Sequence, residues 1–150
     1  NEILPKVLPH KPGLRLLIAG ANPHLRVMVL KSQQVDVSGW VPDMRDCYAS
    51  ARVFIAPMQI GTGLQNKILE AMAMKIPCIT SPLAFQALNA RDGEDILVAR
   101  TPREYADCIL SLLDNPEKAS RIAQNGYDFV HRNFNWETET EKINQLITKK

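Results

Sequence analysis

The chain has 150 residues, enough for one compact domain with a buried core. Its 45% hydrophobic and 23% charged residues make a globular composition rather than a disordered one. A net charge of +2, spread along the chain, argues against a nucleic-acid or acidic-membrane partner, and no stretch approaches the roughly 20 apolar residues that span a bilayer.

Residues 1–10 (NEILPKVLPH) read as the end of an amphipathic helix with no strand ahead of it. A doubly wound sheet normally opens with a strand, so the chain is expected to be a fragment of a larger two-domain protein lacking its first strand. A sheet edge or apolar patch would then be left uncovered. Residues 14–19 (LRLLIA) predict a buried strand, residues 35–38 a short one, and residues 53–56 (VFIA) another. Residues 77–80 (PCIT) and 96–99 (ILVA) complete the set. Such apolar strands separated by helices predict a parallel, Rossmann-like sheet covered on both faces, with 14–19, 53–56 and 77–80 as central strands.

Between the strands, Asp43 can cap a helix whose apolar positions Met44, Cys47, Tyr48 and Ala51 follow helical spacing. Thr101-Pro102-Arg103-Glu104 joins a capping box to a proline at the first helical position. Its helix carries Tyr105, Ile109, Leu112 and Leu113 on one face. Asn115-Pro116 stops that helix and starts another, marked by Ala119, Ile122, Ala123 and Val130. Asn135 opens a last helix with Trp136, Ile143 and Ile147. The fold class is α/β, a single domain with a helical C-terminal tail.

Cys47, Cys78 and Cys108 lack metal-site or disulfide spacing, which fits buried core positions in a reducing cytosol. His10, His24 and His131 are far apart and carry no metal or base assignment, and no aspartate-rich metal motif is present.

The most informative residue is Glu70, a lone carboxylate in the apolar run 68–74 (ILEAMAM). A helix apolar on nearly all sides is normally buried, and a carboxylate there needs a hydrogen-bonding partner such as a hydroxyl-rich ligand. The simpler alternative is an ion pair with Lys67 on the same helix face. Ahead of the helix lies Gly61-Thr62-Gly63-Leu64, where glycines allow backbone N–H groups to approach a phosphate beside a helix N-terminus. Gly63, Asn66, Lys67 and Glu70 are expected on one face, with Leu64, Ile68 and Met72 turned to the core. Gly20 ends the first strand, at the carboxyl edge where open α/β sheets bind ligands. Gly39-Trp40-Val41-Pro42 makes a turn that serves either as a wall for a flat base or simply as a packed tryptophan.

A dinucleotide fingerprint would need glycine where Asn66 stands and an acidic residue where the chain reads Thr80-Ser81-Pro82. The Walker A pattern is absent, and no aspartate cluster follows the first strand. Residues 57–81 (PMQIGTGLQNKILEAMAMKIPCITS) instead resemble the donor-binding half of GT-B glycosyltransferases, in particular the retaining family 4 (group 1). The resemblance continues upstream through Ile18-Ala19-Gly20-Ala21-Asn22-Pro23 and Val37-Ser38-Gly39-Trp40-Val41-Pro42-Asp43. Downstream it runs through residues 92–98 (DGEDILV) to Phe134-Asn135-Trp136-Glu137.

That resemblance implies that Glu70 binds the ribose hydroxyls of a nucleoside diphosphate sugar donor. Backbone near Trp40 and Val41 would hold the base, and Gly61, Thr62, Gly63 and Leu64 would lie beside the diphosphate and sugar. The family's first glutamate, which contacts the donor sugar, falls at Thr62. This departure looks like a subgroup in which Gly61, Gly63 and Lys67 stand out, making Thr62 and Lys67 the candidate catalytic positions. The family's basic phosphate-binding residues and its N-terminal acceptor domain match segments ahead of Asn1. Such enzymes are generally metal-independent, and no cofactor is implied. The expected activity is transfer of a sugar to a glycan or lipid-linked acceptor by the longer parent, the fragment alone being inactive. The alternatives are a GT-B-like epimerase or hydrolase of nucleotide sugars, and a non-catalytic α/β interaction module.

Overall fold

The computed structural model describes residues 2–60 and 63–134. In chain order it contains α1 (Leu4–Val7), β1 (Leu16–Ala19), α2 (Leu25–Met28), β2 (Val35–Gly39), α3 (Met44–Ser50), β3 (Phe54–Ala56) and α4 (Asn66–Ala73). These are followed by β4 (Cys78–Thr80), α5 (Pro82–Phe85), β5 (Leu97–Val98), α6 (Pro102–Asp114) and α7 (Pro116–Asn133). Every expected strand is present, and every strand pair is parallel. The two short helices α2 and α5 were not expected. α5 starts where Ser81 accepts from the Ala84 amide and Pro82 takes the first helical position. The expected last helix, with Trp136, Ile143 and Ile147, lies outside the described residues.

The capping signals act as anticipated. Asp43 accepts from the Arg45 amide at 2.9 Å, Thr101 Oγ1 from the Glu104 amide at 3.2 Å, and Asn115 Oδ1 from the Lys118 amide at 2.9 Å. Glu104 reaches back to the Arg100 amide at 2.8 Å, one residue beyond the usual capping-box partner.

The sheet differs from expectation. Among the described residues it is divided into β1-β2 and β3-β4-β5, so of the three strands expected to be central only β4 has two neighbours. β4 is buried throughout, whereas β1 is only half-buried and Leu17 is 42% exposed. An edge strand lacks the cover that its apolar run would suit. Alternation along the three-stranded sheet divides the core in two. Phe54, Ala56, Cys78 and Ile96 face the cluster built with Ile68, Met72 and Phe129. Ile55, Ile79 and Leu97 face the one built with Val7, Tyr105, Ile109 and Leu112. Of the cysteines only Cys78 is fully buried; Cys47 and Cys108 are half-buried because each lies toward the edge of its helix's packed face.

Candidate functional site

The site assembles at the carboxyl ends of the strands. β1 and β2 finish together: Ala19 pairs with Gly39 after a register shift, and the Gly20 amide donates to the Gly39 carbonyl at 3.4 Å. Gly39 has φ +67°, a left-handed conformation that glycine adopts without a Cβ penalty. The chain turns there into Trp40 and Val41 and then into the Asp43 cap of α3. Trp40 is 73% exposed, so the packed-tryptophan alternative is wrong. The short turn holds the indole outside the core and leaves a bare aromatic surface next to Gly39.

β3 leads through the loop at Gly61, Thr62, Gly63 and Leu64 into α4. Gly61 and Thr62 lie outside the described residues. Gly63 has φ +91° and its carbonyl accepts from Gln65 Nε2 at 3.3 Å. Gly63 and Leu64 precede the helix, so they cannot belong to its faces as expected, and Leu64 is exposed rather than packed in the core. Gln65 is the N-cap and makes no side-chain cap bond, which leaves the first amides of α4 without a side-chain acceptor.

α4 is amphipathic rather than buried all round. Ile68, Ala71 and Met72 are inside, while Asn66, Lys67 and Glu70 face solvent. The expectation of a buried Glu70 fails because the helix lies over the sheet edge-on to solvent and Leu69, Ala73 and Met74 are not sealed in. A carboxylate partner nevertheless exists. Tyr48 Oη donates to Glu70 Oε2 at 2.9 Å and also approaches the Lys67 carbonyl at 3.4 Å. The Lys67–Glu70 ion pair is not formed: the Lys67 ammonium lies 3.7 Å from Met58 Sδ instead. Burial, and secondarily the bond to Glu70, raises the Tyr48 phenol well above its ordinary range, so it is a neutral donor at physiological pH.

Gly20, Trp40 and Val41 follow β1 and β2, Gly63 and Leu64 lie between β3 and α4, and Lys67 and Glu70 lie on α4, where Glu70 is bonded to Tyr48 of α3. Tyr48 was read from the sequence only as a core position. The signal for more was a phenol at a buried helical position, since a buried hydroxyl needs a partner. Beside the loop lies a cavity of about 290 Å³ lined by Leu64, Leu88, Asn89, Phe129, Asn133 and Phe134 among others; neither Glu70 nor Trp40 borders it. Among the described residues no cluster of His, Cys, Asp and Glu could hold a metal, and no helix is long and apolar enough to cross a membrane. Chemically, the arrangement offers a flat apolar face, glycine-rich backbone, a helix N-terminus, an ammonium and an oriented carboxylate.

The family model described as "Glycosyl transferases group 1" matches residues 1–115. Among curated proteins the chain is similar to spore coat protein SA of Bacillus subtilis (strain 168), at 22% identity over 165 residues covering 99% of this chain and 44% of that protein. It is also similar to an uncharacterized 44.6 kDa protein in the cps region of Klebsiella pneumoniae, at 22% identity over 158 residues covering 99% of this chain and 40% of that protein. The chain therefore spans 40% and 44% of the length of these two relatives. Among solved structures, Anabaena HepE in complex with UDP and glucose superposes with a TM-score of 0.83 at 15% identity, covering 99% of this chain and 44% of that one. The C-terminal domain of a group 1 family glycosyl transferase from Francisella tularensis gives 0.75 at 21% identity, covering 90% and 77%.

Proposed function

This chain belongs to the group 1 glycosyltransferases and has the Rossmann-like fold of the C-terminal half of a GT-B enzyme, and from that premise we propose that it is the donor-binding domain of a two-domain, retaining glycosyltransferase. The donor is a nucleoside diphosphate sugar, and the acceptor a glycan or lipid-linked glycan in cell-surface polysaccharide synthesis on the cytoplasmic side. Similarity to a protein of a cps region and to a spore coat protein supports that setting.

The observation that carries the reading is Glu70, exposed on α4 yet held at 2.9 Å by Tyr48 of α3, the helix that follows the Gly39–Trp40 turn. A fixed carboxylate accepts well from two neighbouring hydroxyls, which a ribose presents. The base rests at Trp40 and Val41, and the diphosphate runs along Gly61, Gly63 and Leu64 toward the amides that open α4. Gly20 closes the strand-end floor of this groove. Lys67 projects from the first turn of α4, where an ammonium offsets charge developing on the leaving diphosphate. In the resemblance Thr62 falls at the position of the family's sugar-contacting glutamate. In the family the basic phosphate-binding residues match a segment ahead of Asn1 and the acceptor binds an N-terminal domain, so this chain alone should bind donor weakly and turn over nothing. Threonine in place of a sugar-contacting glutamate also supports a second reading, a non-catalytic α/β interaction module that keeps the fold.

Calorimetric titration of UDP and GDP into the full-length protein tests the site. Glu70→Gln preserves size, and losing charge-assisted hydrogen bonds of roughly 1.5–3 kcal/mol should weaken nucleotide binding about tenfold or more with an unchanged melting temperature. Thr62→Ala should alter nucleotide affinity less, because its neighbour is the sugar. Wild-type affinity for both nucleotides in Glu70→Gln would reduce the carboxylate to a surface charge.

A further inference from the structure

We infer that Tyr48 is a positioning residue for nucleotide recognition, its hydroxyl holding Oε2 of Glu70 so that Oε1 is presented to a vicinal diol. The inference rests on the reading of Glu70 as the ribose contact and adds a residue from a different helix. Tyr48 lies 22 positions before Glu70, on α3, and is 5% exposed. The ring packs edge-on against Phe54 of β3 with centroids 5.8 Å apart, within the same core cluster as Ile68 and Met72 of α4. Its hydroxyl ends on Glu70. Among the described residues no other group donates to that carboxylate.

A surface glutamate on a helix ordinarily samples several rotamers, and a ligand must then order it. Tyrosine has few rotamers, and this one is locked by its packing, so it transfers the rigidity of the core to an otherwise mobile carboxylate. A carboxylate has more lone pairs than one phenol can use, so the bond to Oε2 leaves the second oxygen and part of the first open to accept. The same helix begins at the Asp43 cap immediately after the Trp40–Val41 turn. α3 is therefore one rigid piece that carries the base platform at its start and the ribose orienter one turn later. Its placement sets the spacing between the base and sugar contacts, which is what a nucleoside of fixed length reads.

The test is a double-mutant cycle on UDP affinity in the full-length protein, with Tyr48→Phe, Glu70→Ala and both together. Phenylalanine keeps the ring contact with Phe54, and circular dichroism and melting temperature check the fold of each variant. Tyr48→Phe should weaken UDP about three- to tenfold beside Glu70, the range of one net hydrogen bond, and should have no effect in the Glu70→Ala background. Equal weakening in both backgrounds means that Tyr48 acts through the fold, which overturns the inference. No weakening by Tyr48→Phe, with Glu70→Ala still impaired, also overturns it while the ribose reading stands. Should Glu70→Ala bind UDP as wild type does, the ribose reading itself falls, and with it the inference.

Discussion

Gly126 sits in the middle of α7, where helix propensity favours alanine over glycine by about 0.8–1 kcal/mol. On propensity alone, Gly126→Ala should stabilise the chain. The packing predicts the opposite. A Cβ at this position would lie 2.9 Å from the Asp95 carbonyl oxygen and 3.3 Å and 3.5 Å from Met72 side-chain atoms. The methionine can yield, but the carbonyl cannot. Its turn is pinned by the Asp95 amide donating to the Arg91 carbonyl at 2.9 Å, and by Asn125 Nδ2 donating to the Glu94 carbonyl at 3.1 Å. Overpacking typically costs 1–3 kcal/mol, and a backbone obstacle places this case high in the range, for a net loss of roughly 1–2 kcal/mol. At about 2–4 °C per kcal/mol for a chain of this size, the melting temperature should fall about 2–8 °C. Thermal unfolding followed by circular dichroism, with urea melts to read the free energy, measures it. A variant that melts at or above the wild-type temperature would refute the claim that glycine is required here for the approach of α7 to the turn behind β5.

Two further outcomes are expected. Burial would raise the Asp95 carboxyl, but hydrogen bonds from the Arg91 guanidinium and amide outweigh it and hold the carboxyl below its ordinary range. A lowered folded value means that this stability is present above the unfolded value of about 3.9 and is lost as pH falls through the folded one. Because the Arg91 side chain is 60% exposed, solvent screens the pair, and Asp95→Asn should cost only about 1 kcal/mol at pH 7. It should also flatten the acid limb below about pH 4; urea melts across pH read both, and an unchanged acid limb counts against the pair. Trp40 is outside the core, so Trp40→Phe should leave stability within about 0.5 kcal/mol. UDP should quench the wild-type indole emission and not that of the variant; quenching that persists would place the nucleotide away from this turn.

Much of the fold is legible along the chain because its signals are local. Asp43, Thr101 and Asn115 each cap a helix as their chemistry dictates, the last two with proline at the first helical position. Strand positions were legible from runs of apolar residues, and the parallel arrangement from the helices between them. Short α2 escaped because Leu25, Met28 and Val29 remain exposed, so no amphipathic pattern marks it. The residues of the candidate site could be named from motif and resemblance, yet their setting could not. Glu70 looked buried because Leu69, Ala71, Met72, Ala73 and Met74 surround it in sequence, although only one side of α4 meets the sheet.

The sequence by itself determined most of the element types, the caps that start three helices and the parallel α/β class. These depend on interactions within one helical turn or one strand, which spacing and residue chemistry specify directly. Only the tertiary structure decided that Trp40 is bare, that Lys67 turns toward Met58 rather than Glu70, that the sheet is divided, and that Gly126 needs its missing side chain. Most of all, it decided that Tyr48 holds Glu70. Such pairings join residues on separate elements, and they exist because packing against a shared core brings those elements together, which no local periodicity encodes.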